Sequence, residues 1–95
     1  MRFTWDPAKS DANVAVRRLD FAFATLVFTG ETLERDDARR DYGEQRVVAI
    51  GVANGIMLTV VYTDRNIGND IERRIISVRR SNRHERQAYE TFKGP

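Results

Sequence analysis

The hydrophobic pattern changes its period along the chain. Arg2-Phe3-Thr4-Trp5 alternates and is aromatic, which predicts a short first strand. Asp6-Pro7 then opens a helix. Aspartate accepts from the free amides of a first turn, and proline fits the first helical position, where no donor is needed. Ala8, Ala12, Ala15 and Leu19 follow at helical spacing and predict one narrow stripe toward the core. A second helix is expected from Asp20, with Phe21, Ala24, Leu26 and Phe28 on its buried side, although so short an apolar run also fits a strand. Gly30 to Gly43, rich in Glu, Asp and Arg, reads as a loop with a short edge strand around Thr32–Arg35.

From Arg46 the period becomes two. Three strands are expected, Arg46–Val52, Ile56–Thr63 and Glu72–Arg79, with turns at Ala53-Asn54-Gly55 and Asn66–Asn69. Asn54-Gly55 suits a tight hairpin, so the first two of these strands are antiparallel neighbours. Strict alternation on the last strand places Arg73, Ile75, Ser77 and Arg79 on one face and Arg74, Ile76 and Val78 on the other. Asn82 and Glu85 form a close relative of the capping box, and Ala88, Tyr89 and Phe92 supply the apolar side of a closing helix. The expected fold is α+β: an antiparallel sheet of about four strands with two N-terminal helices and one C-terminal helix.

Length and composition narrow the possibilities. The 95 residues suffice for one domain spanning 1–95 and one modest core. Hydrophobic content of 41% with 32% charged residues fits a soluble globular protein rather than a disordered one. Cysteine is absent, so there is no disulfide framework, thiolate metal site or cysteine nucleophile. With no leader-like start, a reducing cytoplasm is expected. No apolar run approaches a membrane span. With a single histidine, a metal site could draw only on carboxylates such as Asp36-Asp37 or Asp41-x-x-Glu44, which lie in loop-like sequence, and neither metal nor cofactor is expected. Phosphate-binding glycine loops, nucleophile elbows and dinucleotide fingerprints are missing.

Charge adds a direction. Net charge is only +2, yet residues 65–95 hold eight basic side chains (Arg65, Arg73, Arg74, Arg79, Arg80, Arg83, Arg86, Lys93) against four acidic ones (Asp70, Glu72, Glu85, Glu90). Guanidinium is planar and weakly hydrated and clamps phosphate by paired hydrogen bonds, so a polyanion is the first partner to consider. The plainer alternative is that arginine fills ordinary solvated positions, since only two of the 16 basic residues are lysine.

Phe3-x-Trp5-Asp6-Pro7-Ala8-Lys9 with Asn13, Phe21 through Val27-Phe28, Gly43-Glu44-x-Arg46 with Ile50-Gly51, Val60-Val61-Tyr62-Thr63-x-Arg65, and Arg74-Ile75-Ile76-Ser77-x-Arg79-Arg80 leading to Arg83-x-Glu85-Arg86-x-x-Tyr89 occur in that order. Over residues 3 to 90 the chain resembles the BrnT toxins of bacterial type II toxin–antitoxin systems. The resemblance implies a compact RelE-like endoribonuclease that inhibits growth by cutting RNA. It also implies neutralisation by a BrnA-type antitoxin with a ribbon-helix-helix domain, operator DNA being reached only through that antitoxin. One departure stands out: where the family usually shows Lys-His-Gly between the first two helices, this chain has Val16-Arg17-Arg18.

The implied chemistry is attack of a ribose 2′-hydroxyl on the adjacent phosphate, with metal-independent proton transfer and stabilisation of a crowded phosphorane. Arg79, at the strand end, is the first candidate phosphate clamp, followed by Arg74 and Arg46; for Arg74 an ion pair with Glu44 or Glu72 is the alternative. Glu44 is the candidate base, or else a surface ion-pair partner of Arg46 or Arg74. Tyr62 is expected as a buried ring, or else as a base-stacking or proton-transferring group. Ser77 is a candidate phosphate donor, and Arg65, Arg80, Arg83, His84 and Arg86 are candidate RNA contacts, with His84 otherwise merely exposed. All of this presumes that the arginines of the C-terminal third converge on one phosphodiester.

Two other functions fit the same residues. The first is a catalytically weakened toxin relative that serves as antitoxin partner and co-repressor. The second is a non-catalytic nucleic-acid-binding module, which would show steep salt dependence and no turnover. A homodimer through an open sheet edge, or a two-toxin, two-antitoxin complex, completes the expected partners.

Overall fold

In the computed structural model, which describes residues 1–95, the chain runs β1 (Arg2–Thr4), α1 (Pro7–Arg17), α2 (Phe21–Ala24) continued by a 3₁₀ segment (Thr25–Thr29), β2 (Leu33–Asp36), β3 (Val47–Ala53), β4 (Ile56–Ile67), β5 (Asp70–Arg80) and α3 (Arg83–Lys93). The strands form one sheet in the order β1-β5-β4-β3-β2. β2 through β5 are antiparallel neighbours, as the meander pattern predicts. β1 joins at the far edge in parallel with β5, Phe3 lying opposite Arg73. The sheet is therefore mixed and five-stranded rather than an antiparallel set of about four, because a strand separated from its partner by the whole meander leaves no local sign of that pairing.

Asn54 and Gly55 both take positive φ, 50° and 79°, in the two-residue turn whose twist matches the paired strands β3 and β4. The β4–β5 hairpin is longer than its apolar pattern predicts. Its pairing continues to Ile67 and Asp70 through largely polar residues tied across the strands by the Arg73–Asp64 and Arg65–Glu72 pairs, and it closes at Gly68, φ 61°.

One irregularity reorganises β5. Val61 faces Ser77 while its neighbour Tyr62 faces Ile75, so Ile76 is an extra residue in the ladder. Strict alternation fails at that bulge. Val78, Ile75 and Arg73 share the helix-covered face, whereas Arg79, Ser77 and Arg74 share the opposite one. Arg73 accordingly lies over the rings of Tyr62 and Phe28, 4.0 and 4.7 Å from their centroids, and forms a bidentate pair with Asp64.

The helices pack differently from their apolar spacing. Asp6 caps α1 as expected, accepting from the Ala8 amide at 3.0 Å, but Ala8, Ala12 and Ala15 face solvent and Ser10 is the one buried residue of α1. The inner side of this helix is polar because it meets main-chain groups. Ser10 Oγ accepts from the Phe21 amide at 2.9 Å, Asn13 Nδ2 donates to the Leu19 carbonyl at 2.7 Å, and Arg17 donates to the Val78 carbonyl at 3.2 Å. The second helix begins at Asp20 but tightens after one turn, so burial follows a period of three. Phe21, Ala24 and Val27 enter the core, and Leu26 is left outside. They pack with Leu19 on Ala49, Ala53, Leu58, Val60, Tyr62, Ile75 and Val78. The capping box of α3 forms through Asn82 and Glu85, but Tyr89 alone of its apolar residues is buried, Ala88 and Phe92 remaining exposed.

Candidate active site

The face opposite α1 and α2 carries an arginine-lined cavity of about 210 Å³. Four guanidinium-bearing residues reach it from four parts of the chain: Arg17 from the last turn of α1, Arg35 from β2, Arg39 from the loop after β2, and Arg79 from β5. Thr59, Val61 and Ser77 contribute to the floor.

Each arginine is positioned by a distinct local device. β1 pairs with β5 only as far as Arg74, and Arg17 reaches the Val78 carbonyl on the edge beyond. Asp37, whose side chain is fully buried, grips Arg39 with both oxygens, Nε to Oδ1 at 2.8 Å and Nη2 to Oδ2 at 2.9 Å. That guanidinium holds the Asp37 carboxyl at about 2, well below its ordinary 3.8. Arg79 makes the same fork on Glu85 at 2.7 and 2.8 Å, while Glu85 also accepts from the Asn82 amide at 2.8 Å. The Arg79 guanidinium, helped by that amide, lowers the Glu85 carboxyl from 4.5 to about 2. One capping residue thus ties the start of α3 to the cavity wall.

The electrostatics follow from these pairs. Asp37 and Glu85 offset Arg39 and Arg79, whereas Arg17 and Arg35 have no carboxylate partner. A surplus of two guanidinium charges over a floor bearing the Ser77 hydroxyl, which engages no protein group, suits a doubly charged phosphoryl species. Thr59 is less free, since its hydroxyl is bonded to Ser81 Oγ at 2.8 Å.

The remaining sequence candidates lie elsewhere. Of the six arginines between Arg73 and Arg86, only Arg79 lines this cavity, so the expected convergence of the C-terminal cluster does not occur. Arg73 is on the helix-covered face, and Arg80 stands beside the α1–α2 junction, where Nη1 lies 3.4 Å from the Arg17 carbonyl. Arg83 and His84 are exposed in the first turn of α3, and Arg86 donates to the Ser81 carbonyl at 2.7 Å. Arg74 and Glu44 line a separate polar cavity on the same side of the sheet as Ser77, together with Arg65, which pairs with Glu72 at 3.3 Å. Arg74 pairs with neither Glu44 nor Glu72. Arg46 binds Glu44 at 3.2 Å and stacks on Tyr42, 3.9 Å from the ring centroid. Tyr62 is buried across the sheet from Ser77, its hydroxyl donating to Glu34 Oε1 at 2.8 Å; burial and that bond push its ionisation upward. No group of three or more His, Asp or Glu side chains is placed to hold a metal ion.

Arg17, Arg35, Arg39 and Thr59 escaped the sequence reading. Nothing local marks Arg35, Arg39 or Thr59. Arg17 does carry a signal, because it belongs to the Val16-Arg17-Arg18 departure. Val16 points away, 80% exposed, while Arg17 enters the cavity and Arg18 takes φ 62°.

The class so defined is an α+β domain whose sheet presents unpaired guanidinium groups beside a hydroxyl, an arrangement with the chemistry of an anion site. The family described as "Ribonuclease toxin, BrnT, of type II toxin-antitoxin system" matches residues 5–85, and the chain belongs to it. No curated protein matches the chain. Membership supports a ribonuclease toxin with an antitoxin partner and an RNA target. No helix is long and apolar enough to cross a membrane.

Proposed function

We propose that the chain is an endoribonuclease toxin that cuts RNA in the cavity between Arg17, Arg35, Arg39 and Arg79. The observation that carries this reading is that four arginines, two of them without carboxylate partners, line one cavity together with Ser77. RNA offers the internal nucleophile. When the 2′-oxygen attacks phosphorus, the P–O5′ bond breaks and a cyclic phosphate forms; the 2′-hydroxyl loses a proton and the departing 5′-oxygen gains one. Arg35 and Arg17 take the non-bridging oxygens, Ser77 donates one hydrogen bond, and Arg39 and Arg79 are held rigidly by Asp37 and Glu85. The proton steps use water or groups of the RNA, and the mechanism requires no metal. This assignment leaves Glu44, Arg46, Tyr62 and Arg74 outside the reacting centre.

Arg35 gives the clean test because it supports no ion pair. Purified Arg35→Ala should cut RNA on the order of 10–100-fold more slowly with unchanged thermal stability, measured with a fluorogenic oligonucleotide. Unchanged cutting would remove the cavity from the chemistry.

The weakened-relative reading is favoured by one observation: Arg17 stands in the cavity where the family usually has histidine, and arginine is a poor proton carrier. Arg17→His should then raise the rate, on the order of 100-fold if general acid–base catalysis is restored, and give a bell-shaped pH profile. A rate that falls instead would show that Arg17 itself binds phosphate.

A BrnA-like antitoxin with a ribbon-helix-helix domain, in a two-toxin, two-antitoxin complex in the cytoplasm, is the proposed partner. Carboxylates inserted among the four arginines would block the site by charge complementarity.

A further inference from the structure

The bulge at Ile76 leaves Arg74 on the same face as Ser77 and Arg79, where unbroken alternation would have turned it away. Arg74 and Thr63 form the cross-strand row next to Ser77 and Val61, so the polar cavity they line, about 510 Å³, lies one row further along the same face than the arginine cavity. The separation from Arg79 is about 13–16 Å of strand, too far to touch the same phosphate.

Around this second cavity Arg74 is the cation that no carboxylate engages. Its three carboxylates are already engaged: Glu44 by Arg46 at 3.2 Å, Asp64 by Arg73 at 2.8 Å, and Glu72 by Arg2 at 3.2 Å and by Arg65 at 3.3 Å. Arg74 is exposed and has no ion pair or side-chain hydrogen bond of its own. Its lining includes no hydrophobic residue, so the cavity suits a sugar-phosphate backbone rather than a stacked base.

We propose that Arg74 forms a second phosphate subsite, which grips the RNA backbone a few nucleotides from the bond that is cut. The proposal rests on the nuclease reading above and adds to it a substrate requirement: the preferred RNA is a single strand long enough to bridge both cavities. Arg74 is a binding residue here and takes no part in the bond exchange.

The test measures fluorescence anisotropy with 2′-O-methyl oligonucleotides of randomised sequence, two and six residues long, which cannot be cut. The unaltered chain should bind the longer one at least ten-fold more tightly. Arg74→Gln should remove most of that gain, leave the shorter one unaffected and lower the salt slope for the longer one by about 1. Arg35→Ala should weaken both. Equal binding of the two lengths by the unaltered chain, or equal loss for both in Arg74→Gln, overturns the subsite while leaving the nuclease reading intact. Failure of the unaltered chain to bind either length overturns the nuclease reading and the subsite together.

Discussion

Arg18 occupies left-handed backbone, φ 62°, at the end of α1, a conformation that glycine adopts without steric cost. Arg18→Gly should therefore stabilise the fold by about 0.5–1 kcal/mol, read as a higher urea midpoint. Glu85 makes an opposite kind of prediction. Its folded carboxyl is held near 2 against an ordinary 4.5, so its contribution is present above about 4.5 and is lost as pH falls toward 2. Glu85→Gln should flatten this acid limb, at a cost on the order of 2 kcal/mol at neutral pH. Urea midpoints measured between pH 6 and 2.5 check both statements, and an unchanged limb would mean that Arg79 does not hold Glu85 in solution. Much at this scale was legible in the sequence: Asp6-Pro7, Asn54-Gly55 and the Asn82/Glu85 box act locally, and each does in the fold what its chemistry predicts. Arg35 and Arg39 were not, since an arginine acquires its surroundings only from residues distant in sequence.

Elements show where periodicity succeeds and where it misleads. The strands emerged from alternation, but Ile76 is indistinguishable by composition from Ile75, and only the pairing across β4 identifies it as the bulged residue. The α1 stripe misled because a helix can dock through hydroxyl, amide and guanidinium groups onto main chain, leaving its alanines to solvent. The 3₁₀ segment crosses β3 so closely that a Cβ on Gly51 would stand 2.9 Å from Val27 Cβ and 3.1 Å from Thr32 Cγ2. Gly51→Ala should destabilise by about 1–3 kcal/mol, measured by thermal unfolding, because Val27 sits in the core and cannot yield. Helix α3, with Tyr89 as its one buried side chain, should be less protected in hydrogen exchange than β3 to β5.

For the whole molecule, a net charge of +2 conceals a division of labour among the arginines. Those paired with Asp64, Glu72 and Glu44 stitch the sheet and its loops, while Arg17, Arg35 and Arg74, which line cavities without an ion pair of their own, are the ones proposed to meet RNA. With three phosphates neutralised, the log of RNA affinity should fall with log salt at a slope of about −2, far shallower than the sixteen basic residues imply. Raw clustering in sequence did not translate into one arginine cluster in space, because two strand faces and a bulge sort neighbours in sequence onto opposite surfaces.

The parallel join of β1 to β5 has a consequence for synthesis. During synthesis β1 must wait for β5 before it has a neighbour, and Arg79 emerges later still. A polypeptide cut short before Glu72 leaves β1 without its partner, and one cut short anywhere before Arg79 lacks a wall of the arginine cavity, so no such fragment should cut RNA.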